Sequence, residues 1–320
     1  MEKVNNVKLD WNLILLSQKR LFQDKFRDMN ADEVYAPVID MLNNNRIPSR
    51  VIVSNGRICS YGYVMPPQGI DDRLICSMGF VNKDESYIKK GIDILSWFSE
   101  MASKESKLLV IDGIFNGEEF FSELEKLNFT RAYRVKLIGN LDTIMERMKK
   151  SYESLRERNE NFIELQNDEI SMKELGIAQS EAYNGTPDEF LLIQKDGNNI
   201  TPEIINSGYY GKILFTPSRI LHNGEIIGSV QVSDGSFEFF RINTPLLVDL
   251  FISKKYQGKG YGSYLLYQSC KKLKNLGYSN VQLWVNREST SYKFYKDSGF
   301  QDEGEDDLMY YRDFRGVVTN

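Results

Sequence analysis

The chain has 320 residues, and its 40 basic and 45 acidic side chains leave a net charge of −5. This length favours two domains, and 41% hydrophobic with 27% charged residues is ordinary globular composition. The charge balance excludes a protein that recruits nucleic acid through a globally basic field. No apolar run approaches the length of a membrane span, and residues 1–12 lack the apolar core of a signal peptide. We therefore expect a cytoplasmic protein without nucleic-acid or membrane partners.

Cysteine and histidine are too few for several kinds of site. Cys59, Cys76 and Cys270 are scattered and have no metal-ligand spacing, so we expect free, buried thiols and no metal centre. His222 is the only histidine, and it precedes an Asn-Gly turn, where contact with solvent is its expected role. A triad that contains histidine is excluded unless His222 is its member.

The first half of the chain is predicted to alternate between helices and strands. An apolar stripe of an N-terminal helix is predicted from Leu13, Leu16, Leu21, Phe22 and Phe26. Asn55-Gly56, between two apolar runs, predicts a β-hairpin turn. The elements that follow are a strand over 74–81, a helix over 87–102, a strand over 108–111, a helix over 118–126 and a strand over 133–138.

Residues 141–160 predict an amphipathic helix between the two halves. Ile144, Met148, Tyr152 and Leu155 recur at helical spacing and predict a helix that docks along its neighbours. A calmodulin-target or membrane-surface helix has a similar pattern, but acidic residues dilute the positive charge here. A linker helix is therefore the favoured interpretation.

The second half has the same order of elements. Asn223-Gly224 predicts another hairpin, and residues 246–252 predict a buried strand that enters a glycine-rich loop. The helix after this loop has an apolar stripe, predicted from Leu265, Leu266, Ser269, Leu273 and Leu276. A strand over 281–285 and a short helix follow; residues 302–307, rich in Asp and Glu, are predicted as a loop before a last strand over 308–314.

One sequence offset superposes the two halves. Val81 and Phe129 are 48 positions apart, as are Ile252 and Phe300 (129 − 81 and 300 − 252), so an offset of 171 (252 − 81) aligns strand, helix, strand and helix without a gap. The two Asn-Gly turns are 168 apart. A period of this size indicates two copies of one α/β unit rather than a solenoid.

The glycine loop is suited to binding a phosphate. Three glycines in five residues, Gly258, Gly260 and Gly262, let the main chain approach an anion at the start of a helix. The pattern is neither a Walker A motif nor a dinucleotide fingerprint. Gln257-x-x-Gly260-x-Gly262 resembles the [RQ]-x-x-G-x-[GA] signature of the GNAT acetyltransferase superfamily. Downstream, residues 294–300 (FYKDSGF) resemble the L-Y-x-x-x-G-F element of that family.

The resemblance implies an α/β fold of two tandem GNAT-like domains, each a mixed, mostly antiparallel twisted sheet with helices on both faces. It also implies acetyl-CoA as co-substrate. In this family the central strand separates from its neighbour and pairs with the pantetheine arm through its main chain. The glycine loop binds the pyrophosphate. The implied coenzyme-binding residues are Leu250, Phe251, Ile252, Gln257, Gly258, Lys259, Gly260, Tyr261, Gly262 and, near the start of the last helix, Asn286.

The same resemblance suggests the catalytic residues. Tyr295 matches the family tyrosine proposed as general acid to the leaving thiolate, and a phenol is protonated at neutral pH; the alternative is a core aromatic. Asp249 is the candidate base, with Glu238 and Glu288 as rivals. Glu288 stands where the family often has asparagine, which is why Asn286 is the nearest candidate contact for pantetheine.

The first copy lacks the features of the loop. Opposite residues 257–262 stand residues 86–91, where only Gly91 is retained, and Leu124 stands opposite Tyr295. Asp84 and Glu85 place carboxylates near the helix N-terminus, where they repel an anion. We expect a degenerate domain over 1–141, the linker helix over 142–160 and a catalytic domain over 161–320.

The sequence thus predicts an acetyl-CoA-dependent N-acetyltransferase, whose acceptor is the primary amine of a small molecule or peptide. A cationic acceptor is favoured by the acidic residues 302–307. A non-catalytic acyl-CoA-binding protein is the first alternative. An aminoacyl-transferring relative of two such domains is the second, and the intact loop argues against it. Acceptor identity and oligomeric state stay open.

Overall fold

The computed structural model describes residues 9–25, 30–65, 72–157, 162–164, 169–189, 210–236 and 244–315. The chain divides into two compact units. The first comprises Met1–Ala132 and Leu308–Asn320, and the second comprises Tyr133–Asp307.

The first unit is a mixed, mostly antiparallel sheet with helices on both faces. Its strand order is β1-β2-β3-β4-β11, in which only β3 and β4 run parallel. Its helices are α1 (Trp11–Ile14), α2 (Leu16–Lys25), α3 (Ala31–Asn43), α4 (Tyr87–Lys104) and α5 (Phe121–Lys126). Its strands are β1 (Ser49–Ser54), β2 (Arg57–Val64), β3 (Arg73–Phe80), β4 (Leu108–Phe115) and the end of β11 (Gln301–Asp313).

The two faces of this sheet carry separate cores. Alternation along β2 sends Tyr61 and Tyr63 to the face covered by α1, α2 and α3. A Cβ at Gly62 would instead meet Ile94 and Phe98 of α4, which covers the opposite face. The hairpin turn between β1 and β2 was correctly predicted, since Asn55 and Gly56 both have positive φ, at 53° and 70°.

The predicted apolar stripe of the N-terminal helix was wrong in its three leucines, whereas Phe22 is half-buried against Tyr35 and Phe26 lies outside the described residues. Leu13, Leu16 and Leu21 are 67%, 38% and 44% exposed. The buried side chains are instead Trp11, Ile14, Leu15 and Gln18. The reason is that the segment forms two helices, with Leu15 as the cap between them, so a single helical period does not run through it.

The second unit repeats this architecture. Its strand order is β5-β10-β9-β8-β7-β6, with β9 and β10 as its parallel pair. Its strands are β5 (Thr130–Asn140), β6 (Phe162–Glu164), β7 (Ser218–His222), β8 (Glu225–Ser233), β9 (Leu246–Ile252) and β10 (Asn280–Asn286). Its helices are α6 (Leu141–Glu157), α7 (Glu169–Tyr183), α8 (Tyr261–Asn275) and α9 (Thr290–Asp297).

Helices cover both faces of this sheet too. The predicted stripe of α6 is buried against α8 and one face of the sheet, with Ile144 and Leu155 almost fully buried. On the other face, Leu175 and Ala178 of α7 pack on Phe251. The predicted stripe of α8 is correct except for Leu276, which is 54% exposed because it caps the helix after its last turn.

The internal repeat predicted from the sequence is visible in the elements. Adding 171 to the bounds of β3, α4, β4 and α5 gives 244–251, 258–275, 279–286 and 292–297. The corresponding elements of the second unit are β9, α8, β10 and α9, whose bounds differ from these by three residues or fewer. The α/β fold with two copies of one unit, each a mixed, mostly antiparallel sheet with helices on both faces, is the fold of this chain, as expected from the sequence.

The acidic segment was predicted wrongly as a loop. Gln301 to Asp313 form one strand, β11, with Gly304 at a φ of 76° within it. Strand pairing uses main-chain groups, which side-chain charge leaves available, so a run of acids does not by itself end a strand. The side chains of residues 305–307 lie outside those described.

The prediction of free, buried thiols is confirmed, since Cys59, Cys76 and Cys270 are all free and buried. Within the described ranges, no three or more His, Cys, Asp or Glu side chains gather to hold a metal ion. None of the described helices is both long and apolar enough to cross a bilayer.

The first unit depends on the end of the chain, which gives a testable prediction. Tyr310 of β11 is 1% exposed and stacks on Phe121 of α5 with ring centroids 5.7 Å apart. We expect Tyr310→Ala to lower the free energy of unfolding by roughly 3–5 kcal/mol, the range for truncation of a large buried aromatic. Hydrogen exchange should quicken at β4, which pairs with β11. Tyr311→Ala, on the other face of the strand, should have a smaller effect; equal losses would contradict the assignment.

Candidate active site

The glycine loop adopts a conformation that requires its glycines. A 3₁₀ turn, Lys254–Tyr256, follows β9, and α8 begins at Tyr261. Gly258 has a φ of 73° and Gly260, the N-cap of α8, has a φ of 94°. Both values lie in the left-handed region that side chains with a Cβ disfavour. A Cβ on Gly258 would meet nothing within 4 Å, so this side of the loop is open.

The loop presents the start of a helix. The amide of Tyr264 donates to the carbonyl of Gly260 at 3.0 Å. The preceding amides, among them those of Gly262 and Ser263, have no intrahelical carbonyl to bind because the helix starts here. Such amides, together with the positive end of the helix dipole, form an anion-binding site.

Polar side chains around the loop have different roles. The Gln257 side chain donates to the carbonyl of Ile252 at 2.8 Å and therefore ties the loop to β9. Lys254 donates to the carbonyl of Asn184. Lys259 lies over the ring of Tyr256, 5.0 Å from its centroid, at an exposed position. Lys259 therefore places a positive charge beside the glycine loop.

The two parallel strands of this unit separate. β9 and β10 are both fully described, and their recorded register consists of a single pair, Leu246 with Gln282. By contrast, β9 stays paired with β8 as far as Ile252. In the first unit, β3 and β4 stay paired from Arg73–Leu108 to Gly79–Phe115, with one shift of register between Cys76 and Met78. The end of β9 therefore has an edge toward β10 whose main chain is not used for pairing with that strand.

Asp249 lies on this separated strand and is buried. The carboxylate is 4% exposed, and the hydroxyl of Tyr183 donates to its Oδ1 at 2.7 Å. Burial raises the pKa of Asp249 to about 6, although the hydrogen bond from Tyr183 acts in the opposite direction. Within the described part of the chain, Oδ2 has no hydrogen-bond partner.

Tyr295 lies in the same desolvated region. It is 5% exposed and packs edge-on against Phe294 and Phe300, with ring centroids 5.2 and 5.4 Å away. Burial, and then the charges of Asp249 and Asp188, raise the pKa of the Tyr295 phenol. Tyr295 is therefore protonated at neutral pH, and its neighbourhood contains the predicted base.

The remaining predicted residues have other surroundings. Asn286 is 1% exposed, and its Oδ1 accepts from the amide of Glu288 at 2.9 Å, so its side chain shapes the turn before α9. Glu288 is exposed on that turn. Glu238 lies outside the described residues. The structure thus brings Asp249 and Tyr295 together and gives Asn286 a local contact.

Sequence reasoning missed Tyr183 and Asp188. The pKa of Tyr183 is raised well above its usual value by burial and then by Asp249, and burial raises the pKa of Asp188. Leu175 and Tyr183 are eight residues apart on α7, so helical periodicity places both near one face. No pattern in the sequence shows that this face covers Asp249, because α7 and β9 are far apart in the chain.

In the first unit, aromatic packing occupies the position equivalent to the loop. A Cβ on Gly91, which aligns with Gly262, would meet Phe120 at 2.7 Å and Phe80 at 2.8 Å. The Asp84 carboxylate accepts from Lys90 at 2.5 Å near the start of α4. Aromatic rings therefore surround the one retained glycine, and a carboxylate lies near the start of the helix, where it repels an anion.

Part of the second unit matches a known family of proteins. Residues 181–300 match the model of the acetyltransferase (GNAT) family, and no curated protein sequence matches the chain. A functionally unknown conserved protein from Staphylococcus epidermidis has a TM-score of 0.50 at 14% identity, covering 83% of this chain and 95% of its own. A glucosamine N-acetyltransferase region of a fungal multi-domain β-N-acetylglucosaminidase has a TM-score of 0.50 at 14% identity, covering 94% and 37%.

A third solved structure, a GCN5-related N-acetyltransferase from Sphaerobacter thermophilus, has a TM-score of 0.47 at 12% identity and covers 83% of this chain and 81% of its own. At these identities the likenesses concern the fold alone.

The buried carboxylate predicts a pH-dependent stability. The folded-state pKa of Asp249 is raised from 3.8 to about 6, so the protonated form is favoured on folding. Its stabilising contribution is complete below pH 3.8 and is lost as pH rises through 6. Asp249→Asn has no carboxyl group to ionise and so avoids this loss. The effect of the substitution on the free energy of unfolding should therefore be more favourable at pH 7.5 than at pH 3.5 by roughly 3 kcal/mol, from about two pKa units at 1.36 kcal/mol each. Chemical denaturation at both pH values measures this difference; equal effects at both would contradict a raised pKa.

Proposed function

We propose that this chain, whose residues 181–300 form a domain of the acetyltransferase (GNAT) family, is an acetyl-CoA-dependent N-acetyltransferase. The observation that carries the proposal is the separation of β9 from β10 directly before an open glycine loop. The main-chain edge of β9 and the N-terminus of α8 are adjacent along the chain. The edge suits an amide-containing arm of a ligand, and the helix N-terminus suits a diphosphate on the same ligand.

The coenzyme-binding roles follow from this arrangement. Leu250, Phe251 and Ile252 would pair through their main chain with the pantetheine arm. The amides from Gly258 to Gly262 would hold the pyrophosphate, and Lys259 would add positive charge. Gln257 would act by fixing the loop, since its side chain already binds the carbonyl of Ile252. Asn286 would support the turn at the start of α9.

The reaction requires a base, an acid and a thioester. Bound acetyl-CoA supplies the activated acyl group. Asp249 would accept a proton from the acceptor ammonium, which frees the nitrogen lone pair to attack the carbonyl carbon. As the carbon–nitrogen bond forms and the carbon–sulfur bond breaks, Tyr295 would give its proton to the thiolate. The new amide nitrogen would then lose its second proton, which restores the Tyr295 phenol through solvent, and Asp249 would release its proton to water.

The shared surroundings of Asp249 and Tyr295 would couple these proton transfers. The negative charge of Asp249 contributes to the raised pKa of Tyr295. When Asp249 takes the acceptor's proton, this charge disappears and the phenol becomes a stronger acid. Tyr295 would therefore be held protonated before attack and made a better donor as the thiolate leaves.

The wider organisation of the protein is proposed on the same grounds. The copy over residues 1–141 would be catalytically silent, because its parallel strands stay paired and aromatic packing surrounds Gly91. Residues 142–160 would be the linker helix and residues 161–320 the catalytic domain. The acceptor would be a primary amine of a small molecule or peptide in the cytoplasm.

One observation favours a second candidate function. The ring of Tyr295 is 5% exposed, as expected for a core aromatic. In a non-catalytic protein that binds an acyl-CoA as a ligand, the loop would be kept and this phenol would have no proton to give. The two functions share coenzyme binding and differ in what Tyr295 does.

Coenzyme binding is tested by a matched pair of glycine substitutions at the two ends of α8. Gly260 has a φ of 94° and Gly277, after the helix, a φ of 88°, so Ala strains the backbone similarly at both. Wild-type protein should bind one acetyl-CoA per chain in calorimetry. We expect Gly260→Ala to weaken binding by at least about tenfold, about 1.4 kcal/mol, and Gly277→Ala to leave it unchanged. Absence of binding to wild type at millimolar ligand would refute the proposal.

Catalysis is tested at Tyr295. If the phenol protonates the thiolate, Tyr295→Phe should lower kcat by about 10²–10⁴-fold, the usual range for general acid catalysis. Acetyl-CoA affinity should stay unchanged, since the ring is retained. An amine-library acetylation assay measures the first quantity and calorimetry the second. An unchanged turnover rate in Tyr295→Phe would show that Tyr295 is not the general acid. Absence of turnover with any amine would favour the ligand-binding alternative.

A further inference from the structure

The proposed function does not depend on the hydrogen bond between Tyr183 and Asp249. Tyr183 is the last residue of α7, which covers the face of β9 that carries Phe251. Its hydroxyl donates to Oδ1 of Asp249 at 2.7 Å, and this bond joins residues 66 positions apart. Oδ1 is therefore occupied, whereas Oδ2 has no partner in the described part of the protein.

The hydrogen bond restricts what the carboxylate can do. A carboxylate on a short side chain can turn about its last torsion, which is broad. A donor fixed to one oxygen removes this freedom and leaves the other oxygen at a defined place. Because both groups are buried, the bond acts in a low dielectric and favours the ionised form.

Comparison of the two copies shows that the fold does not need this buried acid. In β8, Gln231 lies eight positions after Asn223 of the hairpin turn and pairs with Asp249 of β9 (231 − 223). In β2, Tyr63 lies eight positions after Asn55 of the corresponding turn and pairs with Ser77 of β3 (63 − 55). In the first copy the face is filled by Tyr63, whose hydroxyl accepts from Gln18 at 2.9 Å. The same ladder position thus packs well without a carboxylate, whereas an ionised Asp249 costs stability.

We infer that Tyr183 is a positioning residue that holds Asp249 by Oδ1 so that Oδ2 accepts the proton of the acceptor amine. This inference rests on the proposed function, because it specifies how the base of that reaction is oriented. In the step, a nitrogen–hydrogen bond of the ammonium breaks, an oxygen–hydrogen bond forms at Oδ2, and the lone pair stays on nitrogen. Tyr183 keeps its own proton throughout, since its pKa is raised well above the usual value.

Few ionisable groups act on this pair. Tyr183 and Asp188 come from α7 and the residues after it, and Tyr295 comes from α9. Arg134 of β5 acts on Asp188. Of the side chains around Asp249, Tyr183 lowers its pKa most, and Gln179 of α7 lowers it less. Removal of the Tyr183 hydroxyl should therefore raise that pKa further.

The test is the pH dependence of Tyr183→Phe, measured in two ways. The acidic limb of kcat/KM, near pH 6 in wild type, should move up by about one pH unit, the scale of a lost hydrogen bond to a charged group. Titration of carboxyl-¹³C aspartate by NMR should show the same shift of the Asp249 resonance, which Asp249→Asn identifies by its disappearance. Tyr152→Phe is the matched control, a buried tyrosine of α6 that stacks on Tyr264. Tyr152→Phe should shift neither the acidic limb of kcat/KM nor the titration of Asp249.

Each outcome decides the inference. A shift of both the rate limb and the NMR titration supports it. A uniform loss of activity with an unmoved limb, or an unchanged Asp249 titration, overturns it, because a structural role predicts these results. The NMR titration needs no acceptor. A shifted titration in a protein that acetylates no amine would therefore confirm the hydrogen bond while defeating the proposed function and, with it, the positioning role.

Discussion

The separation of β9 from β10 is the constraint on which the candidate site depends. Two parallel strands held by one recorded pair leave main-chain groups along the end of β9 available to another partner. The same separation is absent from the first unit, where β3 and β4 remain paired over most of their length. Since the two units otherwise repeat their elements in order, this difference in pairing is the one on which the proposed coenzyme site rests.

A second difference between the copies concerns the sheet face that is covered by α1, α2 and α3 in the first unit and by α7 in the second. In the first, Tyr61 and Tyr63 fill it with rings whose hydroxyls both bind Gln18. In the second, Asp249 and Tyr183 form a buried polar pair. Rings with satisfied hydroxyls stabilise a core, whereas a buried carboxylate destabilises it at neutral pH. The first unit is thus packed for stability, and the second keeps a buried carboxylate for which we propose a chemical role.

Much of the fold could be predicted from the sequence, because local patterns specify it. The strand Leu246–Ile252 was predicted with its bounds, and both Asn-Gly turns have the positive φ values that such hairpins need. Predictions failed where the local pattern was ambiguous. Leu13 and Leu16 fit a helical stripe, but a cap at Leu15 divides the helix. The acids after Gln301 suggested a loop, but main-chain pairing is indifferent to their charge.

What the sequence by itself determined is the repeat of one α/β unit, the glycine loop with its resemblance to an acetyltransferase family, and Asp249 and Tyr295 as candidate residues. These follow from spacing and residue type along short stretches of chain. Only the tertiary structure decided that β9 leaves β10, that the end of the chain supplies a strand to the first unit, and that Tyr183 bonds Asp249. Each of these is a contact between distant segments, chosen by packing and by the burial of polar groups, and no local pattern records it.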